Sequence, residues 1–113
     1  MTLQEREARA CAIIDSMTEE LRDISLYLHD NPELGLNEHK AVKVINQFLE
    51  NHNFTSQVGL TDLPELQTAL RGDYNGTAQH KIAFLGEYDA LPELGHGCGH
   101  NLIAMMSLGA AIA

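Results

Sequence analysis

The chain has 113 residues, 44% of them apolar, which is enough for one small domain with a modest core. Its 16 acidic and 7 basic residues give a net charge of -9, which argues against a nucleic-acid partner because phosphates require a basic surface. The charged N-terminal stretch does not resemble a signal peptide, and no apolar run approaches the roughly 20 residues that cross a bilayer. Two cysteines in different sequence contexts do not indicate a disulfide framework, so we expect a cytoplasmic protein with no membrane partner.

Apolar residues at helical spacing predict one long helix near the N-terminus. Thr2 followed by Glu5 is typical of a capping box, and Asp30-Asn31-Pro32 ends the pattern. The apolar stripe steps by three and four residues through Ala10, Ile14, Met17, Leu21, Ile24 and Leu28. We expect this helix to pack one face on a sheet.

A second helix and three strands are predicted in the middle of the chain. The helix should begin at Asn37 or Glu38 and end near Asn51–Asn53. The strands are predicted at Phe54–Leu60, Leu66–Arg71 and His80–Leu85. The last two strands are expected to pair as a hairpin with a long loop.

The third predicted strand leads directly into a pair of acidic residues. Ile82–Leu85 is a continuous apolar run, typical of a buried strand, and it ends at Gly86. Glu87 and Asp89 follow one residue apart, and this spacing points both carboxylates to one side when the backbone is extended. We therefore expect a carboxylate pair at the end of the strand.

A glycine-rich loop then supplies three potential metal ligands. His96, Cys98 and His100 alternate with Gly97 and Gly99, so their side chains can converge if the loop is extended. Imidazole and thiolate groups are ligands of zinc and related divalent metals. The loop and the preceding carboxylates together predict a metal site.

The last segment is predicted to be a helix that Asn101 caps and that is apolar on nearly every side. Its dipole would favour the thiolate form of Cys98. A helix that is apolar all round must be buried, and this one reaches Ala113 without a stop signal. We therefore expect an α/β fold of order ααβββα that is incomplete, with residues 1–113 forming the N-terminal portion of a larger domain.

Three motifs resemble those of the M20 metallopeptidase and amidohydrolase family. They are Leu28–Gly35 (LHDNPELG), Glu87–Pro92 (EYDALP) and His96–Asn101 (HGCGHN). The resemblance covers essentially the whole chain, and the branch that it indicates contains aminobenzoyl-glutamate hydrolases and dipeptidase-like proteins. It implies a zinc-peptidase-like catalytic domain, interrupted by a smaller dimerisation domain, in a homodimeric parent. The implied activity is hydrolysis of the amide bond of small N-acyl or aminoacyl amino acids, such as aminobenzoyl-glutamate or dipeptides.

The same resemblance implies roles for individual residues. Cys98 and His100 match the paired metal ligands of the family, and Asp89 matches the catalytic acid that orients a ligand. Glu87 and His96 are further candidates for contact with the metal or with its ligands. The family uses two divalent ions, for which zinc, manganese and cobalt are all candidates.

Other parts of the family's site have no counterpart in this sequence. Asn101 stands where many members have aspartate. The Glu-Glu pair that supplies the family's general base, and the remaining carboxylate and histidine ligands, would follow Ala113. The chain alone is therefore expected to bind metal weakly and to have little or no activity.

Two other interpretations stay open at this point. A non-enzymatic metal-binding module would complete a closed four-ligand site with one of the histidines outside the loop, namely His29, His39, His52 or His80. A helical interaction module would depend on the long N-terminal stripe, and the histidine-cysteine loop would then be incidental.

Overall fold

The computed structural model describes all 113 residues. Its elements are α1 (Leu3–Ser16), α2 (Thr18–Asp30), α3 (His39–Asn51), β1 (Thr55–Val58), β2 (Leu70–Asp73) and α4 (His100–Ile112). Four helices and one two-stranded antiparallel sheet make a small α/β fold, which confirms the predicted class in its coarse form. The predicted order ααβββα is wrong, because the observed order is αααββα. None of the helices is both long and apolar enough to span a membrane.

The predicted N-terminal helix is two helices, because the chain breaks at Met17. The backbone there has φ -101° and ψ 8°, outside the main helical region. Ser16 Oγ donates to the Ile13 carbonyl at 2.6 Å, and Thr18 Oγ1 donates to the Asp15 carbonyl at 2.7 Å. Such side-chain bonds compete with the helical ladder. Met17 is itself buried, so the apolar spacing continues through the break and does not reveal it.

α3 contributes the largest part of the core. Its buried residues are Ala41, Val42, Ile45, Phe48 and Leu49. The carboxylate of Glu33, in the preceding loop, accepts hydrogen bonds from the N–H groups of Lys40 (2.8 and 3.0 Å) and Ala41 (2.8 Å). These bonds satisfy two free donors at the helix N-terminus, where a negative charge is also favourable. The second predicted helix is confirmed to within about two residues at either end.

β1 and β2 form a hairpin that covers one side of α3. The register runs from Thr55 opposite Asp73 to Val58 opposite Leu70. The predicted pairing of Leu66–Arg71 with His80–Leu85 is therefore wrong. β2 takes β1 as its partner because that pairing closes the hairpin over the apolar face of α3.

The third predicted strand is absent. Residues 77–89 take part in no backbone–backbone hydrogen bond, and Ile82 and Leu85 are 83% and 89% exposed. A strand has no internal hydrogen bonds, so it needs a neighbouring strand to be stable. The apolar run suits a strand, but β1 and β2 pair with each other and leave it without a partner.

α4 packs against α1 and α2 and adds Ala104, Met105 and Leu108 to the core. It begins at His100, after Gly99, whose φ of 83° lies in the left-handed region that glycine adopts without strain. The predicted cap at Asn101 is therefore wrong. The prediction that α4 is buried on every side is also wrong. Leu102 and Met106 remain exposed, because α1 and α2 cover only one side of the helix.

Asn101 connects α4 to α2 instead of capping. Its side-chain amide donates to the carbonyl and the hydroxyl of Ser25, at 3.3 and 3.1 Å, and both residues are buried. Leaving a buried amide without partners costs about 1–3 kcal/mol, so the pair favours one register between the helices. This register also fixes the position of His100, the preceding residue.

Candidate active site

The candidate site lies where the segment after residue 86 meets the first turn of α4. The imidazole of His100 stands there between two carboxylates. Its Nδ1 is 2.7 Å from Asp89 Oδ1 and 3.0 Å from the Asp89 carbonyl oxygen. Its Nε2 is 3.1 Å from Glu87 Oε2. The structure thus brings together three of the five residues that the sequence singles out.

The loop between α2 and α3 holds Asp89 in place. The N–H of Ala90 donates to the Glu33 carbonyl at 2.7 Å, beside a parallel bridge between Leu34 and Ala90. A Cβ added to Gly35 would lie 3.7 Å from Asp89 Oδ2. The segment from Glu33 to Gly35 therefore forms the wall beside the Asp89 carboxylate.

Tyr88 anchors its two acidic neighbours to the core. Its hydroxyl donates to the Thr68 carbonyl, and the Thr68 hydroxyl donates to the carboxylate of Glu38. Thr68 and Glu38 are buried. Burial, together with the charge of Glu38, raises the pKa of Tyr88 to about 12. The phenol therefore stays protonated near neutral pH and keeps its hydrogen bond.

The two carboxylates control the charge of His100. Burial alone would lower its pKa, but the hydrogen bond and charge of Asp89, with the charge of Glu87, outweigh burial and raise the pKa above its ordinary value of 6.5. When the ring is neutral, the contact with Asp89 favours the proton on Nδ1 and leaves the Nε2 lone pair facing Glu87. That tautomer is the one that binds a metal through Nε2.

The two other predicted site residues lie outside this cluster. Cys98 is an exposed free thiol. His96 has a buried Nδ1 without a hydrogen-bond partner. Burial, followed by the charges of His29 and His100, lowers the pKa of His96, which favours its neutral ring. No group of three or more histidine, cysteine, aspartate and glutamate side chains is arranged to hold a metal ion.

Two of the clustered groups nevertheless fit a divalent ion. His100 Nε2 and Glu87 Oε2 face each other at 3.1 Å. That is about the separation of two donors that each lie about 2.1 Å from one ion. Asp89 stands where a carboxylate orients a ligating imidazole. A catalytic zinc takes three protein ligands, and Cys98, two residues before His100, is the candidate for the third. The cluster therefore offers two donor groups that are spaced as two ligands of one ion would be.

Two of the histidines that a closed four-ligand site could use are engaged elsewhere. His29 Nδ1 lies 3.2 Å from Asp30 Oδ1. His52 Nε2 lies 3.1 Å from Glu20 Oε2, and the His52 ring packs against Phe48 in a tilted arrangement with the ring centroids 4.5 Å apart. Each of these two imidazoles therefore already has a carboxylate partner.

The sequence interpretation did not include three residues that support the site. Glu33 accepts from the first N–H groups of α3 but lies in the loop well before the helix, where the usual capping patterns do not signal it. Glu38 and Thr68 form a buried link with Tyr88 across distant parts of the chain, and no local pattern signals such a link.

Sequence similarity identifies the family. The chain is 37% identical over 110 residues to Xaa-Arg dipeptidase of Mus musculus and 34% identical over 113 residues to Xaa-Arg dipeptidase of Homo sapiens. Each match covers 92% of this chain and 26% of the relative. The chain is also 31% identical over 117 residues to a component polypeptide of the p-aminobenzoyl-glutamate hydrolase of Escherichia coli, a match that covers 88% of this chain and 24% of that protein. The chain belongs to the M20 family.

This M20 chain spans about a quarter of the length of the curated relatives it matches. The matches cover about nine-tenths of the chain. The names of the relatives describe hydrolases of a dipeptide and of p-aminobenzoyl-glutamate. No family model matches the chain.

Proposed function

We propose that the chain forms part of the active site of a metal-dependent amidohydrolase or peptidase. The substrates would be small amides, namely N-acyl or aminoacyl amino acids such as p-aminobenzoyl-glutamate or dipeptides. The observation that carries the proposal is the contact between Asp89 and His100 Nδ1, with Glu87 facing Nε2 on the other side of the ring. The dipeptidase and aminobenzoyl-glutamate hydrolase relatives support the substrate class.

Each residue has a separate task in this mechanism. Asp89 accepts the Nδ1 proton of His100, which fixes the tautomer and turns the Nε2 lone pair outward. His100 Nε2 and the Cys98 thiolate would bind a divalent ion, and Glu87 is placed to be a further ligand or to orient one. A bound divalent ion supplies a Lewis acid that acidifies water and polarises an amide carbonyl. The tether from Tyr88 to Thr68 keeps both carboxylates at the ring.

The remaining catalytic groups of the site would come from polypeptide outside this chain. A general base, a second metal position and its ligands have no candidates here, and the relatives are about four times as long. Homodimerisation of the complete protein is part of the same proposal. The isolated chain should therefore not hydrolyse p-aminobenzoyl-glutamate or Xaa-Arg dipeptides. Measurable turnover by the purified 113-residue chain would contradict this division of the site.

Metal titration of the isolated chain tests the assignment of ligands. Calorimetric titration with Zn²⁺ should detect one weak site, which His100→Ala abolishes and Cys98→Ser weakens. Asp89→Asn should weaken binding by roughly 10–100-fold, because the imidazole loses the carboxylate that orients it.

His80→Ala is the matched control for this titration, since His80 is exposed and lies outside the cluster. Its affinity for Zn²⁺ should equal that of the unaltered chain. Equal losses in His80→Ala and His100→Ala, or no binding by the unaltered chain, would contradict the proposed site.

A further inference from the structure

Residues 74–80 connect β2 to the segment that carries the candidate site, and we call them the connecting loop. All of them are exposed, and they belong to no helix or strand. Their one backbone–backbone hydrogen bond runs from the Gly76 N–H to the Tyr74 carbonyl, at 3.1 Å, and closes a three-residue turn. A single exposed bond opens without disturbing any other part of the fold. The main chain of the connecting loop is therefore free to change its conformation.

The connecting loop contains the only asparagine of the chain that a glycine follows, Asn75. Glycine has no side chain to obstruct an approach to its main-chain nitrogen, and it adopts backbone conformations that other residues resist. The surroundings add no obstruction, since a Cβ placed on Gly76 would meet nothing within 4 Å. The Gly76 nitrogen and Asn75 Cγ can therefore meet, and the ring that they close has five members.

We infer that Asn75 is a site of spontaneous modification, at which the side-chain amide is converted into a carboxylate through a cyclic imide. The Gly76 nitrogen loses its proton and attacks Asn75 Cγ, so an N–Cγ bond forms and the Cγ–Nδ2 bond breaks. The amide nitrogen leaves as ammonia and takes up the proton that the Gly76 nitrogen lost. Water then opens the ring at either carbonyl, which leaves aspartate or isoaspartate at position 75. The net reaction consumes one water and releases one ammonia, with no oxidation or reduction.

Asn53 is the comparison that the chain itself provides. It is exposed, as Asn75 is, and its backbone has a φ of 66°. The nitrogen that would attack its side chain belongs to Phe54, and this nitrogen donates to the Leu49 carbonyl at 3.0 Å. The Phe54 side chain also packs against the core. The fold therefore holds this nitrogen in place, and Asn53 should react much more slowly than Asn75.

The modified chain should stay folded. The reaction adds one negative charge to a net charge of -9, at an exposed position two residues beyond Asp73. Asp73 keeps its own partner, since its carboxylate accepts from Arg71 at 2.8 and 3.0 Å. Isoaspartate also lengthens the main chain by one carbon, outside the β1–β2 ladder, which ends at Asp73. The inference goes beyond the proposed function and rests on neither the metal site nor the hydrolase activity.

Mass spectrometry of the stored protein tests the inference. The purified 113-residue chain is kept folded at mildly alkaline pH in water enriched in oxygen-18, and the peptides that contain Asn75 and Asn53 are then compared. The Asn75 peptide should gain the mass of a carboxyl group with one heavy oxygen in place of an amide. It should do so at least about tenfold faster than the Asn53 peptide, because the fold does not hold the Gly76 nitrogen. An isoaspartate-specific carboxyl methyltransferase should label the product.

Single variants identify the attacking nitrogen. Gly76→Ala keeps Asn75 but places a methyl group beside the nitrogen, and it should slow the reaction by about tenfold or more. Thr77→Ala changes the next exposed residue, which supplies no atom of the ring, and it should react at the rate of the unaltered chain. Both variants should bind Zn²⁺ as the unaltered chain does, because neither position belongs to the cluster around His100.

The opposite results overturn the inference. These are an Asn75 peptide that gains no heavy oxygen, equal rates at Asn75 and Asn53, or equal rates in Gly76→Ala and the unaltered chain. Reaction of Asn75 in the urea-unfolded chain but not in the folded chain would show that the fold protects this side chain, and it would overturn the inference as well.

Discussion

The helical core and the site segment of this protein are stabilised in different ways. The core of α2, α3 and α4 depends on apolar packing around Leu28 and Phe48, the two most completely buried large side chains. Residues 77–99 contain no helix or strand, and point contacts hold them on that core. These contacts include Tyr88 to Thr68, Ala90 to Glu33, and Asp89 to His100. Changes in the core should therefore alter stability, whereas changes at the point contacts should alter the site.

The largest expected effect comes from a substitution in the core, and a substitution in the site segment is its control. Phe48→Ala should lower the free energy of unfolding by about 3–5 kcal/mol, because it leaves a cavity beneath α3. Phe84→Ala changes the same residue type in the site segment, where the side chain is 52% exposed, and should cost less than about 0.5 kcal/mol. Urea denaturation of the isolated chain measures both. Equal losses would show that the two regions do not differ in this way.

A pair of glycines sharpens the comparison at the boundary between the regions. Gly86→Ala places a Cβ 2.9 Å from Ser107 Oγ and 3.0 Å from Ser107 Cβ, so the segment must shift away from α4. The expected loss is about 1–3 kcal/mol, and urea denaturation measures it. Gly76→Ala meets nothing within 4 Å and should leave stability almost unchanged. A harmless Gly86→Ala would show that the segment does not pack closely on α4.

The Tyr88 tether predicts a smaller effect that appears at alkaline pH. Since the fold raises the pKa of Tyr88 from 10.0 to about 12, the neutral phenol is favoured in the folded state. Stability should therefore be constant with respect to this group below about pH 10 and should fall as the pH rises towards 12. Tyr88→Phe should remove the phenolate absorbance component with a pKa near 12 and should cost about 1 kcal/mol at neutral pH.

Tyr74→Phe is the matched control, since Tyr74 is mostly exposed. It should leave the component near pH 12 in place. Disappearance of that component in Tyr74→Phe instead of Tyr88→Phe would contradict the tether.

The smallest expected effect is the pH dependence that His100 contributes. The fold raises the pKa of His100 above 6.5, so the imidazolium is stabilised by Asp89 and Glu87. Its contribution should be complete below about pH 6.5 and should be lost as the pH rises through the folded-state pKa. With a chelator present, His100→Gln should remove this dependence, so the difference in unfolding free energy between the unaltered chain and the variant should fall as the pH rises through that range. An unchanged difference across this pH range would contradict the ion pair.

The sequence predicted helices better than strands, for physical reasons. α3 carries its apolar spacing within one continuous stretch, so its ends were predicted to within about two residues. The break at Met17 depends on side-chain bonds to the backbone, which the apolar stripe conceals. Strand order depends on partners that are distant in sequence, so the pairing of β1 with β2 could not be derived from either strand alone.

The candidate site was predictable where alternation within one segment decides it. The spacing of Glu87 and Asp89 predicted two carboxylates on one side, and both contact His100. The roles of Glu33, Thr68 and Glu38 depend on contacts between distant segments, which the sequence does not encode as a local pattern. The assignment of Cys98 as a ligand stays a prediction, since its thiol is exposed and lies outside the cluster.

The position of a bound ion tests the central claim most directly. Crystals of the chain grown with Zn²⁺ would locate the ion by anomalous diffraction at the zinc edge. The account predicts an ion about 2.0–2.1 Å from His100 Nε2, with Nδ1 still bonded to Asp89. An ion bound to Nδ1, or one held only by histidines outside this cluster, would contradict it.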